Sequence, residues 1–210
     1  SVVKATEEDF KSTIPQVPFQ HIRHFKIATD NSFRFGKSRL TLNVGYQQNQ
    51  REEFGDIDKP TQQGLFFDLK TTTYAAQFHL KETNGWKPSI GVNGMNQRNK
   101  NRGIEQLIPD YTLTDFGFYG FAEKEINKLN ISGGARFDTR NINTAALIDE
   151  TGAVKGNGFK KDFKNFSGSA GLTYEANKNV NLKLNIARAF RAPSIPELAS
   201  NGAHEGTIRY

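Results

Sequence analysis

Histidines and carboxylates are the residues of this sequence that could do chemistry, and their spacing supports no site. The histidines are His21, His24, His79 and His204. His21 and His24 are three residues apart, which places strand side chains on opposite faces, so a shared metal ion is not expected. Glu105 and Asp110 share one polar stretch, but no nucleophile, positioned base or water-excluding element accompanies them. The chain has no cysteine, so thiol chemistry and zinc knuckles are excluded. The sequence therefore predicts no catalytic residue, no metal site and no cofactor.

Composition narrows the class of protein further. The net charge is +6, but Lys and Arg are spread singly among polar residues, so nucleic acid is not an expected partner. Hydrophobic residues make up only 36% of the chain, which predicts a thin core. No run approaches the ~18 apolar residues of a membrane-spanning helix, and no signal segment opens the chain. A membrane signal, if present, has to be the weak alternating kind that strands carry.

Alternation of polar and apolar residues recurs along the chain and predicts about eight strands. The clearest case is 180–186, where valine, leucine and isoleucine alternate with asparagine and lysine. The predicted strands cover residues 20–35, 39–51, 65–81, 86–98, 112–122, 129–138, 163–174 and 180–190. Residues 1–19 are expected to form a loop that leads into the first strand, within a single partial β-barrel domain at 1–210.

The connections between these strands alternate between short turns and long loops. The predicted long loops are 52–64, 99–111, 139–162 and 191–207. Among the short turns, Asn84-Gly85 is a strong signal for a type I′ hairpin. A β-sandwich mixes its loop lengths, whereas a transmembrane barrel has short periplasmic turns and longer extracellular loops. We therefore predict an all-β fold, an antiparallel up-and-down meander that is a fragment of a transmembrane β-barrel.

The two faces of such strands predict different roles for their residues. Aromatic residues gather near both strand ends, so Trp86 and Tyr174 are expected at the membrane interface. Arg188 lies on the apolar side near the outer end of its strand and is expected to anchor at the outer interface. Three inward cations could meet an anionic ligand: Arg136, Lys183 and Arg191. Ion pairing within the lumen, for instance of Arg136 with an acid on a neighbouring strand, is the role that we expect of them first.

Two segments resemble sequence motifs of TonB-dependent outer-membrane receptors. The segment A-R-A-F-R-A-P-S-I-P-E-L, which begins at Ala187, resembles the family pattern written roughly as f/y-R-a-P-s-x-x-E-L. The matching positions are Phe190, Arg191, Ala192, Pro193, Ser194, Glu197 and Leu198. The strand L-N-I-S-G-G-A-R-F-D, Leu129 to Asp138, is similar to the family's l-x-x-G-x-R-y/f-D. The resemblance implies the middle of a 22-stranded barrel that an N-terminal plug closes.

The resemblance also implies a function and a location. The expected protein is a receptor in the outer membrane of a Gram-negative bacterium, not an enzyme, and it imports a scarce nutrient, with a ferric siderophore complex as the first choice. Its expected partners are that small ligand, outer-membrane lipid, and the inner-membrane TonB protein through an N-terminal region absent from this sequence. The alternative is a soluble secreted β-domain that binds glycans through its aromatic residues. Neither class of protein is expected to bind nucleic acid.

Overall fold

The computed structural model describes residues 6–13, 16–149 and 151–199, and β-strands dominate them. The strands are β1 Phe19–Phe35, β2 Ser38–Phe54, β3 Leu65–His79, β4 Trp86–Asn101, β5 Tyr111–Ile126, β6 Leu129–Thr144, β7 Leu147–Ile148, β8 Val154–Gly156, β9 Lys160–Asn177 and β10 Val180–Arg188. Two short helices, α1 Glu7–Lys11 and α2 Ile195–Ala199, flank them. Neither helix has the length and apolar character that crossing a membrane requires.

Eight of the strands form one antiparallel sheet in the order β1-β2-β3-β4-β5-β6-β9-β10. Each strand pairs with the next one along the chain, except that the small β7–β8 hairpin lies within the connection from β6 to β9. The predicted all-β, antiparallel up-and-down meander is therefore confirmed. In the described residues, β1 and β10 each pair along one edge only.

Positive backbone φ angles mark the short turns. Asn84 and Gly85 have φ angles of 53° and 77°, which confirms the type I′ turn because this turn needs positive φ at both central residues. Gly36 has a φ of 60° at the first central position between β1 and β2, as a type II′ turn requires. These tight turns hold each pair of strands together at one end of the sheet.

Most strands extend beyond the bounds predicted from side-chain alternation. β6 continues from 138 to Thr144, and β2 and β4 continue to Phe54 and Asn101. The polar composition of residues 139–144 suggested a loop, but backbone ladders need no apolar side chains, and these residues pair with β5 and β9. β3 and β10 end two residues early, at His79 and Arg188.

The long loops are correspondingly shorter than predicted. Three of them cover residues 55–64, 102–110 and 145–159, and the last contains the β7–β8 hairpin. The leading segment contains α1, whose first turn is capped by a reciprocal pair between Thr6 and Asp9. Of the predicted loop 191–207, the structure describes residues up to 199, where α2 interrupts it.

The strands are staggered, as they must be in a closed barrel. One row of directly opposed residues runs through Leu40, Phe78, Ile90, Gly120, Ala135, Gly168 and Arg188. Leu40, at one end of this row, lies close to the β1–β2 turn. Arg188, at the other end of the row, is the last residue of β10 and lies far from the turn that precedes β10. Strands that shift steadily in register must tilt relative to the sheet's long axis, which is the geometry of a barrel wall.

The sheet has an apolar face and a polar face. The apolar face carries every second residue of each strand, including the row Leu42, Ala76, Val92, Phe118, Phe137 and Phe166. Its side chains are open to the surroundings, with Phe118 50% exposed and Leu184 59% exposed. The polar face carries the alternate residues, mainly Asn, Gln, Ser, Thr, Gly and charged side chains. Large exposed apolar side chains on one continuous face fit lipid contact better than contact with water.

A small hydrophobic core lies on the polar face, near the long loops. Its buried members are Tyr111, Leu113, Ile142 and Ile195. Half-buried residues from the neighbouring strands and loops surround them: Leu69, Met95, Ile108, Phe159, Phe163 and Leu198. Ile195 comes from α2, so the segment after β10 folds back over the sheet and covers this core.

Candidate functional site

A polar cavity of about 630 Å³ lies on the polar face beside the covered core. Strands β3 to β6 form its floor, and residues 190–192, which follow β10, form one side. Its charged lining residues are Asp115, Arg136, Asp138, Arg140 and Arg191. Phe163 and Phe190 supply apolar surface to the same cavity. Three guanidinium groups beside aromatic rings suit an anionic, partly apolar ligand.

Arg140 and Asp115 join neighbouring strands at this cavity. Arg140 Nε donates to Asp115 Oδ1 at 2.7 Å, and Arg140 Nη2 donates to Oδ2 at 2.6 Å. Both side chains are about three-quarters buried. The two parallel hydrogen bonds fix the plane of the guanidinium group, which is the arrangement that makes arginine a specific partner for carboxylates.

Arg136 forms its ion pair within its own strand. Its Nε donates to both oxygens of Asp138 at 2.7 Å, and its guanidinium lies 5.7 Å from the centroid of the Tyr119 ring. Arg136 therefore forms the expected ion pair on the polar face. Its partner belongs to the same strand and not to a neighbouring one, because Tyr119 and Gly117 stand opposite this pair on β5. Glycine leaves the necessary room, since a β-carbon at position 117 would overlap both charged groups.

The segment from Arg191 to Leu198 is held by one carboxylate. Glu197 accepts hydrogen bonds from Arg191 Nη1 at 3.0 Å and Nη2 at 2.6 Å. It also accepts from the backbone N–H of Ser194 at 2.6 Å and from its hydroxyl at 2.9 Å. Ser194 precedes the first residue of α2 and Glu197 is the third, so this is half of a capping box. The motif residues thus fold one another into a compact turn.

The same contacts change the acidity of the Glu197 carboxyl. The hydrogen bonds from Arg191, followed by those from Ser194, lower the pKa of Glu197 to about 2. Its carboxylate also raises the pKa of Arg191. Both groups are therefore charged at neutral pH, so the ion pair between them is kept there.

The structure places only two of the three predicted ligand-binding cations at the cavity. Arg136 and Arg191 line the same cavity, but Lys183 lies on β10 outside it and forms no ion pair within the described residues. Of the motif residues, Phe190, Arg191 and Ala192 line the cavity, while Leu198 packs against the core. Pro193 and Ser194 lie between them and lead into α2.

The predicted membrane-interface residues lie at the ends of their strands. Trp86 is 43% exposed next to the short Asn84-Gly85 turn, with Lys124 Nζ 5.5 Å from its ring centroid. Tyr174 is 42% exposed near the short turn that precedes β10. Arg188 is exposed on the apolar face at the last residue of β10. Their contact with membrane interfaces stays a prediction.

Sequence reasoning missed Arg140 and Asp115. Arg140 was assigned to a loop because the strand was expected to end at Asp138. The signal was present, however, since Arg136, Asp138 and Arg140 continue the two-residue period of β6. Asp115 was passed over because aromatic residues surround it in β5.

The three histidines in the described part of the chain do not come together as a metal site. His21 lies 3.7 Å from Glu52, whereas His24 contacts Asn49 from the opposite face of β1. No group of three or more His, Asp or Glu side chains able to hold a metal occurs in the part of the chain that the structure describes. His204 lies outside the described residues.

The fold is similar to those of two solved iron-uptake proteins. One is the FrpB iron transporter from Neisseria meningitidis, F5-1 variant, in its apoprotein form, with a TM-score of 0.68 and 16% identity. The match covers 85% of this chain and 30% of FrpB. The other is the ferric yersiniabactin uptake receptor FyuA from Yersinia pestis, with a TM-score of 0.54 and 12% identity, covering 77% of this chain and 27% of FyuA. The chain thus spans about a third or less of these proteins.

The sequence itself matches one family over almost its whole length. No curated protein sequence gives a match. Residues 9–209, however, match the family described as TonB dependent receptor-like, beta-barrel. Proteins of this family are transporters of the Gram-negative outer membrane, which sets aside the soluble secreted domain and supports the expectation that the protein is not an enzyme. The chain belongs to the family of TonB-dependent receptor β-barrels.

Proposed function

We propose that this chain is part of a receptor that imports a ferric siderophore complex across the outer membrane. The observation that carries the proposal is the family match over residues 9–209. The choice of ferric siderophores is supported by the two proteins of similar fold, an iron transporter and a ferric yersiniabactin uptake receptor. Cobalamin and glycans are the other ligands that the resemblance to TonB-dependent receptors implies.

The cavity supplies chemistry that suits such a ligand. Ferric complexes of acidic chelators expose negatively charged or carbonyl oxygens around an apolar or aromatic framework. Arg136, Arg140 and Arg191 offer planar hydrogen-bond donors, and Phe163 and Phe190 offer rings at the same cavity. An incoming anion would compete for these donors with Asp138, Asp115 and Glu197, so binding would exchange one charged hydrogen bond for another.

The long loops and the polar face define a route for this ligand. Loops 55–64, 102–110 and 145–159 would meet it outside the cell, and the polar face would line the lumen. Lys183 lies on that face without an ion pair in the described residues, so it could bind an anion without exchanging a partner. Energy would come from the TonB protein through parts of the receptor outside this barrel portion, and a plug domain would gate the path.

Uptake of radioactive iron by the full-length receptor tests this proposal. The receptor would be expressed in a strain that lacks its own ferric siderophore receptors, and uptake would be measured with a panel of ⁵⁵Fe-loaded siderophores. We expect uptake of at least one complex, and none in a strain without TonB. Uptake of cobalamin or a glycan, with no ferric complex transported, would contradict the choice of ligand.

Arg140→Gln connects the uptake to the cavity. The substitution removes the charged guanidinium group while keeping a polar side chain, so uptake at low ligand concentration should fall at least about tenfold. Lys37→Gln, in the β1–β2 turn at the opposite end of the sheet, removes one charge far from the cavity and should leave uptake unchanged. Equal uptake by the two variants would show that the cavity does not bind the ligand.

A further inference from the structure

A group of cationic side chains lies on the apolar face, between its apolar rows and the long loops. A cleft of about 150 Å³ is lined by Lys70 and Asp68 of β3, by Arg98 and Lys100 near the end of β4, and by Arg102, the first residue after β4. We call these five residues the basic cleft. They point away from the polar face and its cavity, so the proposed transport route does not involve them.

Two of the four cations are already neutralised by carboxylates. Arg102 Nη2 lies 2.8 Å from Asp68 Oδ2, and Asp68 is nearly fully buried. Lys100 Nζ donates to Asp110 Oδ2 at 2.5 Å. Asp110 also accepts from the backbone N–H of Asn101 at 2.7 Å. Both acids of this region are therefore fully engaged.

The other two cations, Lys70 and Arg98, face each other without a counter-ion. They are directly opposed residues of β3 and β4, both exposed. Neither side chain forms an ion pair or a hydrogen bond with any residue that the structure describes. Like charges directly opposite on adjacent strands destabilise a sheet. Their row contains no carboxylate that could compensate: Gln48, Lys70, Arg98, Thr112, Asn143 and Lys160.

Along the strands, toward the long loops, this face changes from apolar to polar to charged. A bilayer changes in the same order from its hydrocarbon core to its headgroups. Rows of opposed residues lie about 7 Å apart along the strands. The row through Ala76, Val92 and Phe118 is apolar. The next row is mixed, with two aromatic rings and a lysine at its far end: Val44, Tyr74, Gly94, Phe116, Thr139 and Lys164. The next row is uncharged and polar: Tyr46, Thr72, Asn96, Thr114 and Asn141, with Asp162 at its far end. The row after it contains Lys70 and Arg98.

We infer that the basic cleft binds the phosphate of a lipid headgroup in the outer leaflet of the outer membrane. The inference rests on the membrane location that the family gives, and not on which ligand the receptor transports. Lipid contact on the apolar rows would place a headgroup phosphate beside Lys70 and Arg98, where it supplies the missing anion. A lipid tethered by its acyl chains is favoured over free phosphate because the cleft continues directly from the lipid-facing rows.

Binding of a phosphorylated lipid to the full-length receptor tests this inference. The receptor would be reconstituted into nanodiscs of phosphatidylcholine, and binding of diphosphoryl lipid A would be titrated by native mass spectrometry. The test variant is Lys70→Gln/Arg98→Gln, and the matched control is Lys37→Gln/Lys178→Gln, which removes two cations from the short turns. We expect the test variant to weaken binding by about fivefold for each cation removed, and the control to bind as wild type.

Thermal stability gives a second measurement with a characteristic change of sign. In an uncharged detergent the test variant should melt at a higher temperature than wild type, because the repulsion between the opposed cations is gone. In nanodiscs with lipid A it should melt at a lower temperature relative to wild type, because the bound lipid is lost. If the two side chains had a purely structural role, the substitution would shift the melting temperature in the same direction in detergent and in nanodiscs.

Three outcomes would overturn the inference. The first is equal lipid A binding by wild type and the test variant, and the second is an equal loss in the control. The third is saturation of the cleft by inorganic phosphate at the concentrations that suffice for lipid A, which would assign it to a soluble anion instead.

Discussion

Glu197 illustrates how one carboxylate can organise a motif that looks unremarkable in sequence. The spacing R-x-x-S-x-x-E places Arg191, Ser194 and Glu197 around the first turn of α2. The Arg191 guanidinium and the hydroxyl and N–H of Ser194 all donate to the Glu197 carboxylate. The two prolines between them restrict the backbone and remove competing N–H donors. The family resemblance identified these residues, but only the folded turn explains why they occur together.

The turn should loosen in acid. The pKa of Glu197 is about 2 in the folded protein, below its ordinary value of 4.5, so its stabilising effect is complete above pH 4.5. That effect should decline as the pH falls from about 4.5 and should be lost as it passes through about 2. Protease cleavage within residues 191–199, followed across this range in the detergent-solubilised receptor with an acid-stable protease, measures the loss.

Glu197→Gln should make this segment cleavable at neutral pH and abolish its pH dependence in that range. Glu175→Gln, in the short turn before β10, is the matched control and should behave as wild type. A pH profile that Glu197→Gln leaves unchanged would show that another group controls the turn.

Helix α2 is short, so its position depends on packing more than on its own stability. Ile195 is 4% exposed between the side chains of β5 and β6, and it brings the segment after β10 onto the polar face. Sequence reasoning predicted that this segment leaves the membrane as a loop, and alternation gave no sign that it folds back. The cause lies in tertiary contacts, since Leu113 and Ile142 interrupt an otherwise polar face and need a cover.

Ile195→Ala should release α2 from the sheet. Truncation of a buried isoleucine costs about 2–5 kcal/mol, which exceeds what a five-residue helix can supply alone. We expect faster hydrogen exchange in residues 191–199 and on the polar side of β5. Ile104→Ala, at a position that is 41% exposed in loop 102–110, should have little effect on either region. Unchanged exchange in Ile195→Ala would mean that Ile195 does not hold the helix.

The strands themselves were largely predictable, and their ends were not. The order of eight antiparallel strands and the type I′ turn at Asn84-Gly85 followed from alternation and turn chemistry. The ends of β2, β4, β6 and β9 were misplaced because hydrogen-bonded ladders continue through polar residues above the apolar rows. Polarity of side chains reports the solvent that a strand meets, whereas strand length is set by backbone pairing.

The eight-stranded sheet combines stagger with a division into an apolar and a polar face. A barrel wall in a membrane requires both of these properties. Its strands are staggered throughout, and one face exposes apolar side chains while the other carries ion pairs and a cavity. The stagger could not be predicted from the sequence, because it depends on register between strands. The division into faces could be, because it depends only on alternation.

The central claim is that the apolar face contacts lipid and the polar face contacts water. Val92 and Asn93 are neighbours on β4 and lie on opposite faces, and the described sheet contains no native cysteine that would compete for a label. A nitroxide label at each position of the full-length receptor in lipid vesicles, measured by electron paramagnetic resonance, tests the claim directly. We predict that the label at position 92 is relaxed by oxygen and not by a water-soluble nickel chelate, and that the label at position 93 shows the reverse. The same accessibility at both positions, or nickel access at 92, would contradict the barrel account.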